Sequence, residues 1–412
     1  MTRARIKMDR RLLTILIIVF VQMAGAAMVL PILPLFAERE FDLPPTVITL
    51  LVSSFYAAQF FGGPYLGRLS DRHGRLPILV LSQLGTAASF AVLGLAQSVW
   101  MLFAARIVDG ITGGNIIVAQ AYITDITPRE KRTAALGYVF AVFGLGFIVG
   151  PALGGVLSAA LGPRIPFLLA AAAALVAALM SWRVLDETVT EKGRGASRLQ
   201  RADLSLGAVV NNTPLLVVLA IAFVGQFALG MLQATFALYG QAVLFQGASE
   251  EMVNLGVGLL LAAVGATQLF TQVALLERLL ERFGDLWLVY IGSILRAAGL
   301  VLYAVITSPW LAGASSVLFA MGMALLRPSL QSLATQTVGD EMRGGVLGFY
   351  QSAVSLATII STAIAGVIFA VAPTVPFWLG ALLSLLALIP AVGLPQQLEQ
   401  RKQELEQVGA AD

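Results

Sequence analysis

The chain has 412 residues, 58% of them hydrophobic and only 12% charged, with a mean hydropathy of +0.86. A soluble domain carries about 25% charged residues, so this composition excludes an ordinary water-soluble fold. Zero cysteines exclude disulfides, thiolate metal sites and cysteine nucleophiles, and the single histidine, His73, leaves no histidine-rich metal centre.

Apolar runs of about 20 residues recur along the whole length, each long enough to cross about 30 Å of hydrocarbon as a helix. Twelve are expected, at roughly 12–36, 46–67, 76–97, 99–124, 133–160, 164–185, 213–245, 252–276, 286–307, 309–334, 344–371 and 374–394. The first run follows a basic start, as in a signal peptide, but it is too long and contains Pro31 and Pro34, so it reads as a retained span. Helices are the expected element because lipid offers no partner for an unpaired backbone group.

Charge sets the orientation. All but five of the 26 Lys and Arg fall on one side if the N-terminus is cytoplasmic. The exceptions are Arg39 and Arg164 on the far side, and Arg106, Arg296 and Arg327 inside spans. This bias predicts a multi-pass protein of the cell (inner or plasma) membrane with both termini cytoplasmic. The pI near 9.3 then reports topology, and no nucleic-acid partner is implied.

The two halves repeat at an offset of about 210 residues. Glu277–Gly284 echoes residues 67–74, with Glu281 opposite Asp71 and Gly284 opposite Gly74, and Gly366 falls opposite Gly155. The expected organisation is a six-helix bundle over 1–185, a polar cytoplasmic linker over 186–212, a second bundle over 213–395 and a charged tail over 396–412. The fold class is all-α, two bundles related by pseudo-two-fold symmetry, the parallel-repeat plan of many transporters.

Between the second and third runs stands Gly67-Arg68-Leu69-Ser70-Asp71-Arg72-His73-Gly74-Arg75. Gly67 permits close approach of a neighbouring helix. Asp71 can cap a helix N-terminus, and Arg72 and Arg75 can pair with it and with Asp125. His73 reads as a solvated loop residue. In the fourth run Arg106 and Asp109 are three apart, share a helix face and can pair. Asp109 lies roughly 13 Å inside the span at 1.5 Å per residue. Two readings stand for this pair: a proton-carrying carboxylate held by Arg106, or a static ion pair that orients the helix. In the fifth run Gly146, Gly150 and Gly154 stand four apart as a small-residue stripe, and Pro151 removes a backbone donor and kinks the helix. Candidate substrate-contacting residues at depth are Gln22, Gln59, Asn115, Gln226, Gln233, Arg296 and Arg327, with Gln268 also polar. Amides in lipid also serve simply to bond neighbouring helices. Arg296 and Arg327 suit an anionic or zwitterionic substrate, or Arg327 snorkels to the cytoplasmic face.

The loop fills every fixed position of Gly-x-Leu-x-Asp-Arg-x-Gly-Arg and so resembles the signature of the major facilitator superfamily. Gly150-Pro151 followed by Gly154-Gly155 resembles the fifth-span motif of its drug:proton antiporters. Gln22-x-x-Gly25-x-x-x-x-x-Pro31-x-x-Pro34, Tyr56-x-x-Gln59, Gly110-Ile111-Thr112-Gly113, Ala121–Asp125 and Gln233–Leu238 resemble the tetracycline:proton antiporter branch. The resemblance covers most of residues 12–160 and is patchy afterwards. It implies that the loop latches the two bundles during transport, although Leu76 stands where a further basic residue is common. Where the tetracycline exporters carry acids in the first and third spans, this chain has Gln22 and Ser89, which argues against tetracycline itself as substrate.

The resulting expectation is a secondary transporter exporting amphipathic, drug-like compounds in exchange for protons by alternating access, acting as a monomer in the lipid bilayer. No Gly-x-x-x-x-Gly-Lys-Ser/Thr loop occurs and no cofactor or metal is expected. The alternatives are a lipid or lysolipid translocator without proton coupling, and a transporter-like receptor that binds without moving its ligand. An enzyme is not expected, because neither a nucleophile–base pair nor a metal cluster stands in any span.

Overall fold

The computed structural model describes residues 10–113, 115–128, 132–188, 206–339 and 342–409, and these form helices joined by short turns, with no strand among them. In chain order they are α1 (Arg10–Phe41), α2 (Pro45–His73), α3 (Arg75–Gly94), α4 (Val99–Thr112), α5 (Asn115–Ile126), α6 (Arg132–Leu161) and α7 (Arg164–Val184). Then follow α8 (Leu206–Val210), α9 (Thr213–Tyr239), α10 (Glu250–Phe270), α11 (Leu276–Val305), α12 (Pro309–Gln336), α13 (Arg343–Val371), α14 (Val375–Leu386), α15 (Leu388–Ala391) and α16 (Leu394–Gly409). Single π-helical turns, Gly240–Leu244 and Thr271–Leu275, follow α9 and α10. Of the linker expected at 186–212, residues 189–205 lie outside the described residues.

Local chemistry accounts for several helix starts. Proline occupies the first turn of α2, α9, α12 and α14, where its missing N–H would have no intrahelical acceptor. Asn212 caps α9 by accepting from the Leu215 N–H at 3.1 Å.

Ten described helical segments are long and apolar enough to cross a membrane, or eleven if the bent pair Val375–Ala391 and Leu394–Arg401 is one span. One of the ten, Glu250–Val305, is 56 residues long, about 84 Å of helix and far more than one bilayer requires. It is interrupted at Gly284, whose φ of 75° and ψ of 168° leave the helical region, so it holds two of the twelve expected spans. The fourth expected span comprises α4 and α5, which together count as one of the ten segments, Val99–Ile126.

The chain separates into two compact units, Met1–Arg198 with Phe245–Ala266, and Leu199–Leu244 with Thr267–Asp412. In the first, α1 packs against α6 and α7, α3 against α7, and α2 and α3 against α4. Its core gathers Leu12, Ile15, Val19, Leu66, Val118, Tyr122 and Val139. In the second, α9 packs against α13 and α14, and α11 against α12 and α14. Leu215, Val218, Ile221, Val289, Leu330, Val346 and Tyr350 form its core.

Candidate functional site

The most consequential polar group in the first unit lies on α4. Arg106 Nη1 donates to Asp109 Oδ2 at 2.7 Å, and the two residues are only 6% and 2% exposed. The guanidinium also covers the Phe55 ring of α2, with Cζ 4.1 Å from the centroid, an attraction that desolvation strengthens. Arg106 Nε is buried with no hydrogen-bond partner among the described residues.

Glycine brings α2 this close. A Cβ added at Gly110 would overlap the Phe55 carbonyl oxygen, and one at Gly62 would lie 2.7 Å from Ile111 Cα. At Gly67 the added atom would sit 3.6 Å from Ile117 Cγ2, an ordinary contact. The tight approach of α2 therefore belongs to Gly62, one and a half turns earlier than the loop motif suggests.

A chain of hydroxyls links the pair's surroundings to Gln22. Gln22 Nε2 donates to Thr86 Oγ1 at 3.4 Å. Thr86 and Thr112 share a hydrogen bond at 3.3 Å, and Thr112 donates to the Val108 carbonyl at 2.9 Å. This polar thread joins α1, α3 and α4 one turn from Asp109. Thr86 and Thr112 are absent from the sequence-based candidates, which weighed amides and charges; the available signal was Thr112 standing three residues after Asp109. Ser89 donates to the Gly85 carbonyl of its own helix at 2.8 Å. Gln59 is half-buried and lies against Gly113, whose added Cβ would be 3.3 Å from Gln59 Nε2. Asn115 begins α5, and its side chain lies outside the described residues.

The other candidates belong to the second unit. Gln226 donates to Thr358 Oγ1 at 2.9 Å, and Gln233 is half-buried on α9. Arg296 is completely buried in α11, whereas Arg327 of α12 is exposed.

At the opposite end of α2, Arg75 joins two helices. It pairs with Asp71 at 2.6 Å and with Asp125 of α5 at 3.1 Å, and donates to Ser70 Oγ at 2.8 Å. Arg72 is exposed and makes no ion pair among the described residues. Asp71 sits in the last turn of α2 and does not cap α3. That task falls to Glu187, whose carboxylate accepts the N–H groups of Arg75 at 2.9 Å and Leu76 at 3.1 Å. The segment after α7 is held here also by Thr188, which donates to Asp125 at 3.1 Å, and by an Arg11–Asp186 ion pair. His73 is exposed, its Nδ1 3.2 Å from the Leu69 carbonyl.

Gly74 is required twice over. Its φ of 107° and ψ of 152° lie in a region open essentially to glycine, and an added Cβ would overlap the Glu187 carboxylate. Gly74→Ala is expected to lower stability by about 1–3 kcal/mol from backbone strain alone. Glu187→Ala should relieve the overlap, so thermal unfolding of the double variant should show less loss than the two single losses added together. Strict additivity would contradict the contact.

The fifth-span stripe presses α6 onto α1. An added Cβ would lie 2.6 Å from Met23 Cβ at Gly146, 2.5 Å from the Ala24 carbonyl oxygen at Gly150, and 2.7 Å from Met28 Cγ at Gly154. α6 continues through Pro151. Pro151 cannot donate to the Phe147 carbonyl four residues back, and Gly265 of α10 packs there, its added Cβ falling 2.9 Å from that oxygen.

Comparison with known proteins agrees with this architecture. The family description Major Facilitator Superfamily matches residues 15–250 and 245–410. The chain is 32% identical to the class E tetracycline resistance protein of Escherichia coli, over 86% of this chain and 86% of that protein. It is 28% identical to multidrug resistance protein 1 of Bacillus subtilis (strain 168), over 90% of this chain and 93% of that protein. In structure it is similar to the nucleoside transporter NupG, with a TM-score of 0.79 and 12% identity over 94% of this chain and all of that one. With its two bundles of membrane-spanning helices and a family match along nearly its whole length, the chain belongs to the major facilitator superfamily of transporters.

Proposed function

We propose that the chain exports amphipathic, drug-like small molecules across the cell membrane in exchange for protons, by alternating access, with both termini cytoplasmic. The observation that carries this reading is the Arg106–Asp109 pair: a carboxylate 2% exposed, inside a span, with one guanidinium as its ion partner. A buried carboxylate at membrane depth is costly, and such groups characteristically serve ion and proton paths. Protonating Asp109 discharges the pair and leaves Arg106 against the Phe55 ring; deprotonation restores it. The similarity to tetracycline and multidrug resistance proteins supports drug-like cargo. Uncharged Gln22 in α1 favours compounds other than a metal-bound tetracycline.

In this reading Gln22, Gln59, Asn115, Gln226, Gln233, Arg296 and Arg327 contact substrate. Gly67, Asp71, Arg72, Gly74, Arg75 and Asp125 govern the conformational change at one membrane face, and Gly146, Gly150, Pro151 and Gly154 do so along α6.

The test is uptake of a panel of lipophilic compounds into everted membrane vesicles energised by respiration. Uptake of at least one compound, above that of vesicles lacking the protein and abolished by a protonophore, is the expected result. Uptake that is indifferent to the protonophore, or movement of lipid alone, would favour an uncoupled translocator.

A further inference from the structure

Arg296 has an environment unlike that of any other described arginine. It is 0% exposed, and its described hydrogen-bond partners are neutral: Nε donates to Ser384 Oγ at 3.1 Å, and Nη1 lies 3.9 Å from Met323 Sδ. Ser384 spends its own proton on the Gly380 carbonyl at 2.6 Å. Nη2 is buried with no hydrogen-bond partner among the described residues, and Arg296 makes no ion pair with a described acidic residue.

The fold makes room for this cation. An added Cβ at Gly225 of α9 would be 2.5 Å from Nη1, and one at Gly322 of α12 would be 2.6 Å from the Arg296 backbone nitrogen. Beside the guanidinium lies a cleft lined also by Gln226, Met323, a second cation, Arg327, and Tyr350. A buried guanidinium without an anion is strongly disfavoured, and its planar fork of N–H donors matches a carboxylate in shape. A role in helix packing alone would call for acceptors around the whole fork. Here one arm has no acceptor among the described residues, and a second cation lines the same cleft.

We propose that Arg296, with Arg327 at the cleft, forms an anion subsite of the second unit that receives the carboxylate of an amphipathic substrate. This deepens the exporter reading and rests on it: the cargo includes compounds that join an apolar body to an acidic group.

The experiment is equilibrium binding of dansylglycine and of its uncharged amide to the purified full chain, as wild type, R296K and R296Q. The wild type should bind the acid about tenfold or more tightly than the amide. R296K should keep part of that preference, and R296Q should bind the two alike. Equal binding of acid and amide by the wild type, or an R296Q protein that retains the preference, overturns the assignment. If R296Q does not fold, the wild-type ratio and R296K still decide.

The same titrations in chloride and in gluconate separate the sources of the anion. Acid preference in both media supports a substrate carboxylate. Chloride binding that R296K weakens, without any acid preference, overturns that assignment in favour of a resident inorganic ion. Uptake of a lipophilic cation by the wild type in vesicles tests the exporter reading separately. It persists if only the anion subsite fails, and is missing from the wild type if the exporter reading fails.

Discussion

Asp109→Asn is expected to give a folded protein whose uphill export falls to the background of membranes lacking it. Asparagine preserves the size of the side chain and can still accept from Arg106 Nη1, which lies 2.7 Å from Asp109 Oδ2. It cannot bind and release a proton near neutral pH. Counterflow, the exchange of labelled for unlabelled compound with no gradient, needs no net proton movement and should survive. Asp109→Ala is a harsher change: it strands the Arg106 cation in a site where Nε already lacks a partner. Breaking a buried pair in this way costs about 3–5 kcal/mol, so the alanine protein should be lost from the membrane fraction. If Asp109 only orients α4, asparagine should lower thermal stability and leave uphill export intact.

The second large effect concerns α6. Gly150→Ala should destabilise the protein by about 1–3 kcal/mol, the usual range for overpacking. The added methyl would meet the Ala24 carbonyl oxygen at 2.5 Å, and a helix backbone cannot rotate away as a side chain can. Gly137→Ala on the same helix is the control, since no described residue lies within 4 Å of its added Cβ. There alanine should stabilise by about 0.5–1 kcal/mol through reduced backbone entropy. Thermal unfolding of the two purified variants should therefore shift in opposite directions. Shifts of the same sign would mean that the α1–α6 contact is looser than described.

Much of the architecture could be read from the chain because hydrocarbon imposes a simple rule, a helix for every long apolar run. The Arg106–Asp109 pair was legible for a related reason: charge at depth is rare, and a spacing of three places both groups on one face. What escaped notice depends on tertiary neighbours. Glu187 falls within the polar linker sequence, and only the fold carries it back to the α3 N-terminus. Thr86 and Thr112 bond across helices far apart in sequence, and hydroxyls at such depth are too common to single out. Capping by Asp71 was a reasonable local expectation, but Arg75 one turn later draws its carboxylate along α2 instead. The division at Gly284 was visible as a repeat of Gly74, both being positive-φ positions (75° and 107°) in matching turns of the two halves.

The measurement that bears most directly on the central claim is compound-induced proton movement. Everted vesicles holding wild type or Asp109→Asn would be loaded with a pH gradient, and a pH-sensitive dye followed while lipophilic cations, zwitterions and anions are added. Dissipation of the gradient by a transported compound in the wild type, and none in Asp109→Asn, is the predicted result. Transport of that compound with no proton movement, or equal dissipation by both proteins, would contradict proton coupling through Asp109 and leave the residue as a structural partner of Arg106.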